Sequence, residues 1–237
     1  MILCLDAGNT RLKWGLLEAD GWRRQGVLNY QELNVLLAEL AAPTSRILAC
    51  NVAGETVRQH IEAVAARLRL PLTWLNSTAA ACGVSNGYDS PQQLGADRWA
   101  ALIAARALHA GPVVVVMAGT ATTIDALDGD GRFRGGLILP GLSLMRAALA
   151  RNTADLPHAA GHYQSLPTNT DDAIVSGAIH ATLGAIERMG SMLHDDVLCL
   201  LSGGAAIELA PHMTLKHRLI DNLVLEGLAR YSLVHSL

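Results

Sequence analysis

CLDAGNTRLKWGLLEADGWRRQG, residues 4–26, and VVMAGTATTIDALDGDGRFRGG, residues 115–136, open the two halves of the chain in the same way. Each reads as an apolar strand, a turn of glycine and hydroxyl residues, a second strand, an Asp-Gly hairpin turn and a third strand. Laid on one another, Gly8 falls on Gly119 and, after a one-residue slip, Gly21 falls on Gly131. A helical pattern follows in both halves, over about 30–41 and about 141–150. Internal repetition speaks first to architecture. Two similar βββαβα halves would bring two glycine turns face to face across a cleft, where ligands bind preferentially.

The first turn has two readings by itself. Ile2–Leu5 are apolar on both faces of a short strand, which hands over to Asp6, Ala7, Gly8, Asn9 and Thr10. An isolated Asp-Ala-Gly-Asn string is an ordinary turn. It is also what a phosphate loop requires. Gly8 has no Cβ to block close approach, backbone N–H groups face an anion, and Asn9 and Thr10 add side-chain donors. Asp6 can then hold Mg²⁺ through water. The repeat decides between them, because two opposed loops rich in Gly, Thr and Asn suit a nucleotide polyphosphate.

The 237 residues allow one large domain or two of about 110–120 residues each. With 51% hydrophobic, 16% charged and only 4% aromatic residues, the core is built from Leu, Ala, Val and Ile. A net charge of −3 gives no general electrostatic case for nucleic acid or an anionic membrane. The densest apolar run, PVVVVMAG, is of strand length, far below the ~18–20 residues of a membrane span. The N-terminus carries Asp6 in a strand rather than a signal-peptide pattern, so a cytoplasmic location is expected.

Cys4, Cys50, Cys82 and Cys199 form no C-x-x-C pair, and the first, second and fourth lie in apolar runs, as buried small hydrophobes do. The nine histidines show no zinc spacing. There is no G-x-x-x-x-G-K-S/T and no G-x-G-x-x-G after the first strand, which argues against those two nucleotide folds.

Further strands are expected at 45–52 and 72–75, and helices at 55–69 and 91–109, the latter ending at Gly111-Pro112. Beyond a polar stretch over 151–170 come a helix over 171–194, the strand VLCLLSGG and two closing helices. Pro43 is read as the stop of the first helix.

DAGNT, AGTATT and a late LSGG resemble the acetate kinase, sugar kinase, Hsp70 and actin superfamily, in which two ribonuclease H-like domains clamp ATP. NGYDSPQQLGADRWAA, residues 86–101, narrows the resemblance to the N-x-Y-x-x-P-x-x-L-G-x-D-R element of type III pantothenate kinases, some first described as Bvg accessory factor-like. DAGNT with Lys13, this element, GTATT, GGLILPG at 135–141, TNTDDAIVSG at 168–177 and LLSGG at 200–204 follow in family order along essentially the whole chain.

The resemblance implies an α/β chain with a domain over 1–111 and a second over 112–237, phosphorylating pantothenate with ATP and Mg²⁺. It implies ATP contacts from Asp6, Ala7, Gly8, Asn9, Thr10, Arg11, Leu12 and Lys13, from Gly119 and Thr120, and from Gly203 and Gly204 against the adenosine. Tyr88, Gly95, Ala96, Asp97 and Arg98 would hold pantothenate, Asp97 acting as the base. Thr170 would come from the facing subunit of a homodimer, packed through a helix with small Gly177, Ala178, Ala181, Gly184 and Ala185. The chemistry agrees: pantothenate carries a carboxylate that an Arg fork binds bidentately, and a primary hydroxyl that needs a base.

Plainer readings stand beside these. Asp97-Arg98 alone is a solvated pair at a helix start, and Tyr88 alone is packing. Asp125 and Asp128 read as hairpin-face and turn residues, Arg146 and Arg151 as a solvated helix face, and His109, His158 and His162 as surface or loop. Met117 departs from the family, where the matching position is often an Asp that helps bind K⁺ or ammonium. A thioether does not replace that hard oxygen, which puts the monovalent cation in doubt. Another small-molecule kinase of the superfamily, or an accessory protein with a vestigial nucleotide site, are the competing functions. The presence of Asp6, Lys13, Asp97 and Arg98 argues against the vestigial site.

Overall fold

The computed structural model describes residues 1–40, 44–157, 159–193 and 196–235; Pro43 and His158 lie outside the described residues. The N-terminal apolar run forms β1 (Ile2–Ala7). β2 (Leu12–Glu18) and β3 (Gly21–Leu28) pair antiparallel around the Asp20-Gly21 turn. A short 3₁₀ turn leads to α1 (Leu33–Leu40), followed by β4 (Arg46–Asn51), α2 (Glu55–Leu68) and β5 (Leu72–Trp74). The sheet runs in the order β3-β2-β1-β4-β5, with β1 antiparallel to β2 and parallel to β4. Alternation along β1 sends Leu3, Leu5 and Ala7 into a core with Ile61, Val64 and Ala65 of α2, and turns Cys4 and Asp6 to the other face.

A small hairpin, β6 (Ala80–Ala81) and β7 (Val84–Ser85), has no counterpart in the sequence expectation. Two-residue strands carry no readable period, and the turn is made by Cys82 and Gly83 at positive φ. The helix expected from 91 begins later. Pro91–Gln93 form a separate 3₁₀ turn, Leu94 is extended, and α3 runs Ala96–Leu108.

The second sheet repeats the first. β8 (Val113–Ala118), β9 (Ala121–Leu127) and β10 (Phe133–Pro140) are followed by α4 (Leu142–Asn152), α5 (Thr170–Gly190), β11 (Leu198–Ser202), α6 (Ala206–Leu209) and β12 (His217–Leu219). The order is β10-β9-β8-β11-β12. Val175, Ile179, Leu183 and Ile186 of α5 pack on Val114, Val116 and Ile124 of the sheet. β12 was not expected, because a three-residue strand parallel to β11 is fixed by tertiary pairing and not by local pattern.

The chain divides into two compact units, Met1–Leu108 with the residues from Asn222 onward, and His109–Asp221. An expected second domain over 112–237 is corrected at its C-terminal end. α7 (Leu223–Val234) packs on α3, buries Leu223, Val224, Leu225 and Leu228, and is tied to β3 by Trp22 Nε1 donating to Glu226 at 2.8 Å. Its apolar stripe completes the face of the first sheet opposite α2.

Candidate active site

In the first unit Asp6 sits one residue before the end of β1, level with Lys13 on β2 and Cys50 on β4. Lys13 Nζ lies 4.0 Å from Asp6 Oδ2, and the Cys50 thiol donates to Asp6 Oδ1 at 3.7 Å. Burial pushes the Asp6 carboxyl up to about 6; Lys13 pulls against this, Asp97 adds to it, and the Cys50 thiol opposes it. The following turn is closed by the Gly8 N–H donating to the Arg11 carbonyl at 3.3 Å, and the Tyr30 hydroxyl donates to the Gly8 carbonyl. Asn9, Thr10 and Arg11 are exposed on this turn. The Ala7 and Leu12 side chains belong to the core, so only their backbone faces the loop.

Asp97 and Arg98 open α3. Asp97 Oδ1 accepts from the Arg98 N–H at 2.8 Å, and burial raises the Asp97 carboxyl against the pull of that N–H, the Arg98 guanidinium and Lys13. Gly95 makes room for it, since a Cβ there would lie 2.6 Å from Asp97 Oδ1. Arg98 is only 5% exposed, so it is no solvated helix-start residue. Its Nη1 donates to the Tyr88 hydroxyl at 3.0 Å, and its guanidinium carbon lies 5.7 Å from the Tyr88 ring centroid. Asp6, Lys13 and Asp97 therefore share one electrostatic cluster, with a buried guanidinium next in the chain.

The second unit carries the matching turn. Gly119 N–H donates to the Ala121 carbonyl at 3.1 Å, and the Thr120 carbonyl accepts from Gly141 N–H at 2.9 Å. Met117 occupies the place of Asp6 in this sheet, level with Thr123 on β9 and Ser202 on β11. Beyond β11 the chain folds back over β8. Gly203 has φ +104, and a Cβ there would stand 2.3 Å from the Ala118 carbonyl oxygen. The Gly119-Thr120 turn and Gly203 are thus brought together, with Gly204 exposed beside them.

Thr170 is the first residue of α5, behind the Asn169 cap, and is exposed. With Asn169, Ala173, Gly177 and Leu149 it lines a cavity of about 630 Å³. Ala178 faces its own core, and the exposed small residues of α5 are Ala173, Gly177, Ala181 and Gly184.

Several expectations are corrected. Asp125 is fully buried in β9 and is not a hairpin-face residue. Arg146 is not solvated, because it forks onto Glu208 of α6 at 2.9 and 3.2 Å. Asp128 does hold the hairpin turn, accepting from the Asp130 and Arg132 N–H groups at 3.1 and 2.9 Å. Cys50 and Tyr30, both touching the first loop, were missed; the pairing that brings Cys50 to Asp6 is long-range, and a lone Tyr in a helical pattern carries no signal.

The sequence profile of type III pantothenate kinases matches residues 2–191. The chain belongs to this family. A type III pantothenate kinase of Aromatoleum aromaticum is 49% identical over 233 residues, covering 97% of this chain and 96% of its own. Among solved structures, a Baf-family protein of Campylobacter jejuni, described as a transcriptional activator, has a TM-score of 0.70 at 20% identity, covering 99% of this chain and 98% of its own. A 2-dehydro-3-deoxygalactonokinase protein of Sinorhizobium meliloti has 0.63 at 16%, covering 99% of each chain. These likenesses carry the fold, an α/β chain of two sheets, and agree with the repeated strand order.

Proposed function

We propose that Arg98 and Asp97 of this pantothenate kinase receive the acceptor, and that the Gly8 and Gly119 turns receive the ATP phosphates. The reaction is the ATP-dependent phosphorylation of pantothenate that opens coenzyme A biosynthesis. The observation that carries this reading is the pairing of a buried guanidinium with an adjacent carboxyl raised by burial, within the field of Lys13.

Arg98, held by Tyr88, supplies the guanidinium that pairs with the pantothenate carboxylate, and Gly95 leaves room beside it for the Asp97 carboxyl. Asp97 takes the proton of the primary hydroxyl as that oxygen bonds to the γ-phosphorus and the bond to the ADP oxygen breaks. Its raised pKa makes it a better proton acceptor than an ordinary carboxylate. Alignment and charge neutralisation carry most of such a transfer, and Lys13 supplies one positive charge. Asp6, a hard oxygen donor whose ionisation Lys13 and the Cys50 thiol compensate only in part, suits Mg²⁺ held through water. Bound there, the ion would neutralise charge on the polyphosphate. The Met117 thioether offers K⁺ no hard oxygen where Asp6 has one, and we assign the chain no monovalent cation through that position.

Thr170 completes the acceptor site of a second copy in a homodimer. Among the described residues no helix is long and apolar enough to cross a membrane, and the enzyme is assigned to the cytoplasm with no nucleic-acid partner. Coupled ADP release should respond to pantothenate and stay at background with acetate and a panel of sugars. Background rates with pantothenate, or faster turnover of a sugar, would overturn the assignment.

A further inference from the structure

We infer that Asn86 is a positioning residue of the acceptor site, a side chain that fixes Tyr88 and the approach to Gly95 together. The inference rests on Tyr88 and Arg98 forming that site. Asn86 immediately follows β7, and its N–H donates to the Ala79 carbonyl at 2.9 Å, closing the base of the β6–β7 hairpin. Its side chain then ties three more points. Nδ2 donates to the Thr78 carbonyl at 3.3 Å and to the Pro91 carbonyl at 3.2 Å, and Oδ1 accepts from the Tyr88 N–H at 3.1 Å.

Each bond restrains a different degree of freedom. The Thr78 bond anchors the segment leaving β5, the Pro91 bond holds the start of the 3₁₀ turn that leads to Gly95, and the Tyr88 bond fixes the backbone between them. Tyr88 in turn accepts the Arg98 Nη1 bond at 3.0 Å. A loop of this length has no sheet ladder to hold it, so an amide satisfying both its donors and its acceptor is what keeps it in one arrangement. Asn86 touches neither Asp97 nor Arg98 in any of these bonds. It acts through Tyr88 and the Pro91 turn.

The chain of bonds predicts a selective defect. Asn86→Ala should raise the pantothenate KM about tenfold or more while the ATP KM stays within about twofold, since the Tyr88 N–H donor and the Thr78 and Pro91 carbonyl acceptors lose their partner together. The double variant with Tyr88→Phe should bind pantothenate no more weakly than the worse single variant, because two residues acting in series do not add. Should Asn86→Ala fail to fold, Asn86→Asp keeps the side-chain shape and the Tyr88 bond but loses both donated bonds and sets a carboxylate oxygen against the Thr78 and Pro91 carbonyls, and should show the same selectivity. Calorimetric titration of pantothenate reads the same order without turnover. An unchanged pantothenate KM in Asn86→Asp or Asn86→Ala, an equal rise in both KM values, or additive effects with Tyr88→Phe would overturn the inference. If Tyr88→Phe itself leaves pantothenate binding unchanged, the acceptor-site reading beneath it fails instead.

Discussion

Burial of Asp6 beside the first loop sets a charge where the fold resists it. Its carboxyl stands at about 6, above its ordinary value of 3.8. An acid whose native pKa is raised gives stability that is fully present below the unfolded pKa and is lost as pH rises through the native one. Metal-free Asp6→Asn should therefore exceed the wild type in stability by roughly 1–3 kcal/mol near about pH 8, with the gap closing below about pH 4. Thermal melts across that range check it; an Asn variant less stable at the alkaline end contradicts it. The same carboxylate is the one assigned to the metal, so its cost in stability is the expected companion of its use. Met117 makes the opposite case in the second unit. Exchanging K⁺ or ammonium for a large inert cation at constant ionic strength should leave turnover nearly flat. A steep, saturable K⁺ dependence would show that other oxygens hold the ion.

At the level of elements, the turn after β11 depends on having no side chain at one place. Gly203→Ala would force a residue at φ +104 to place its Cβ into the Ala118 carbonyl. It should cost about 1–3 kcal/mol of stability and weaken ATP binding, while pantothenate binding holds. Gly204, with nothing within 4 Å, has room for a methyl group, so Gly204→Ala serves as the folded control. Melting and ATP titration of the pair decide this; equal behaviour of the two variants contradicts it. The strands, the Asp-Gly hairpins and the long helices were legible because each carries several residues of period or a strong turn signal. The β6–β7 hairpin and β12 were not, being two and three residues long. The buried Asp125, the Arg146–Glu208 fork and the Cys50–Asp6 bond depend on partners far along the chain, which local pattern does not specify. In the candidate site the residue types and their order were readable, whereas the burial of Arg98 and the hub at Asn86 needed the fold.

For the whole molecule, the repeated glycine turns foretold two sheets of one strand order, but not that the last helix returns to the first unit. Chain order gives no sign of that return, because α7 is amphipathic in the same way wherever it packs. The small residues Ala173, Gly177, Ala181 and Gly184 on the exposed side of α5, with Thr170 at its start, suit close approach of a second copy. Light scattering on active enzyme should show a dimer, and a fully active monomer would contradict the role given to Thr170. The central claim is that Asp97 accepts the proton of the pantothenate hydroxyl. The most direct test is turnover of the full-length Asp97→Asn variant, with ATP and pantothenate binding measured in parallel by calorimetry. Turnover should fall by about 10²–10⁴-fold with both ligands still bound. A variant keeping more than about half of the wild-type rate would contradict the claim, since a general base contributes far more than twofold.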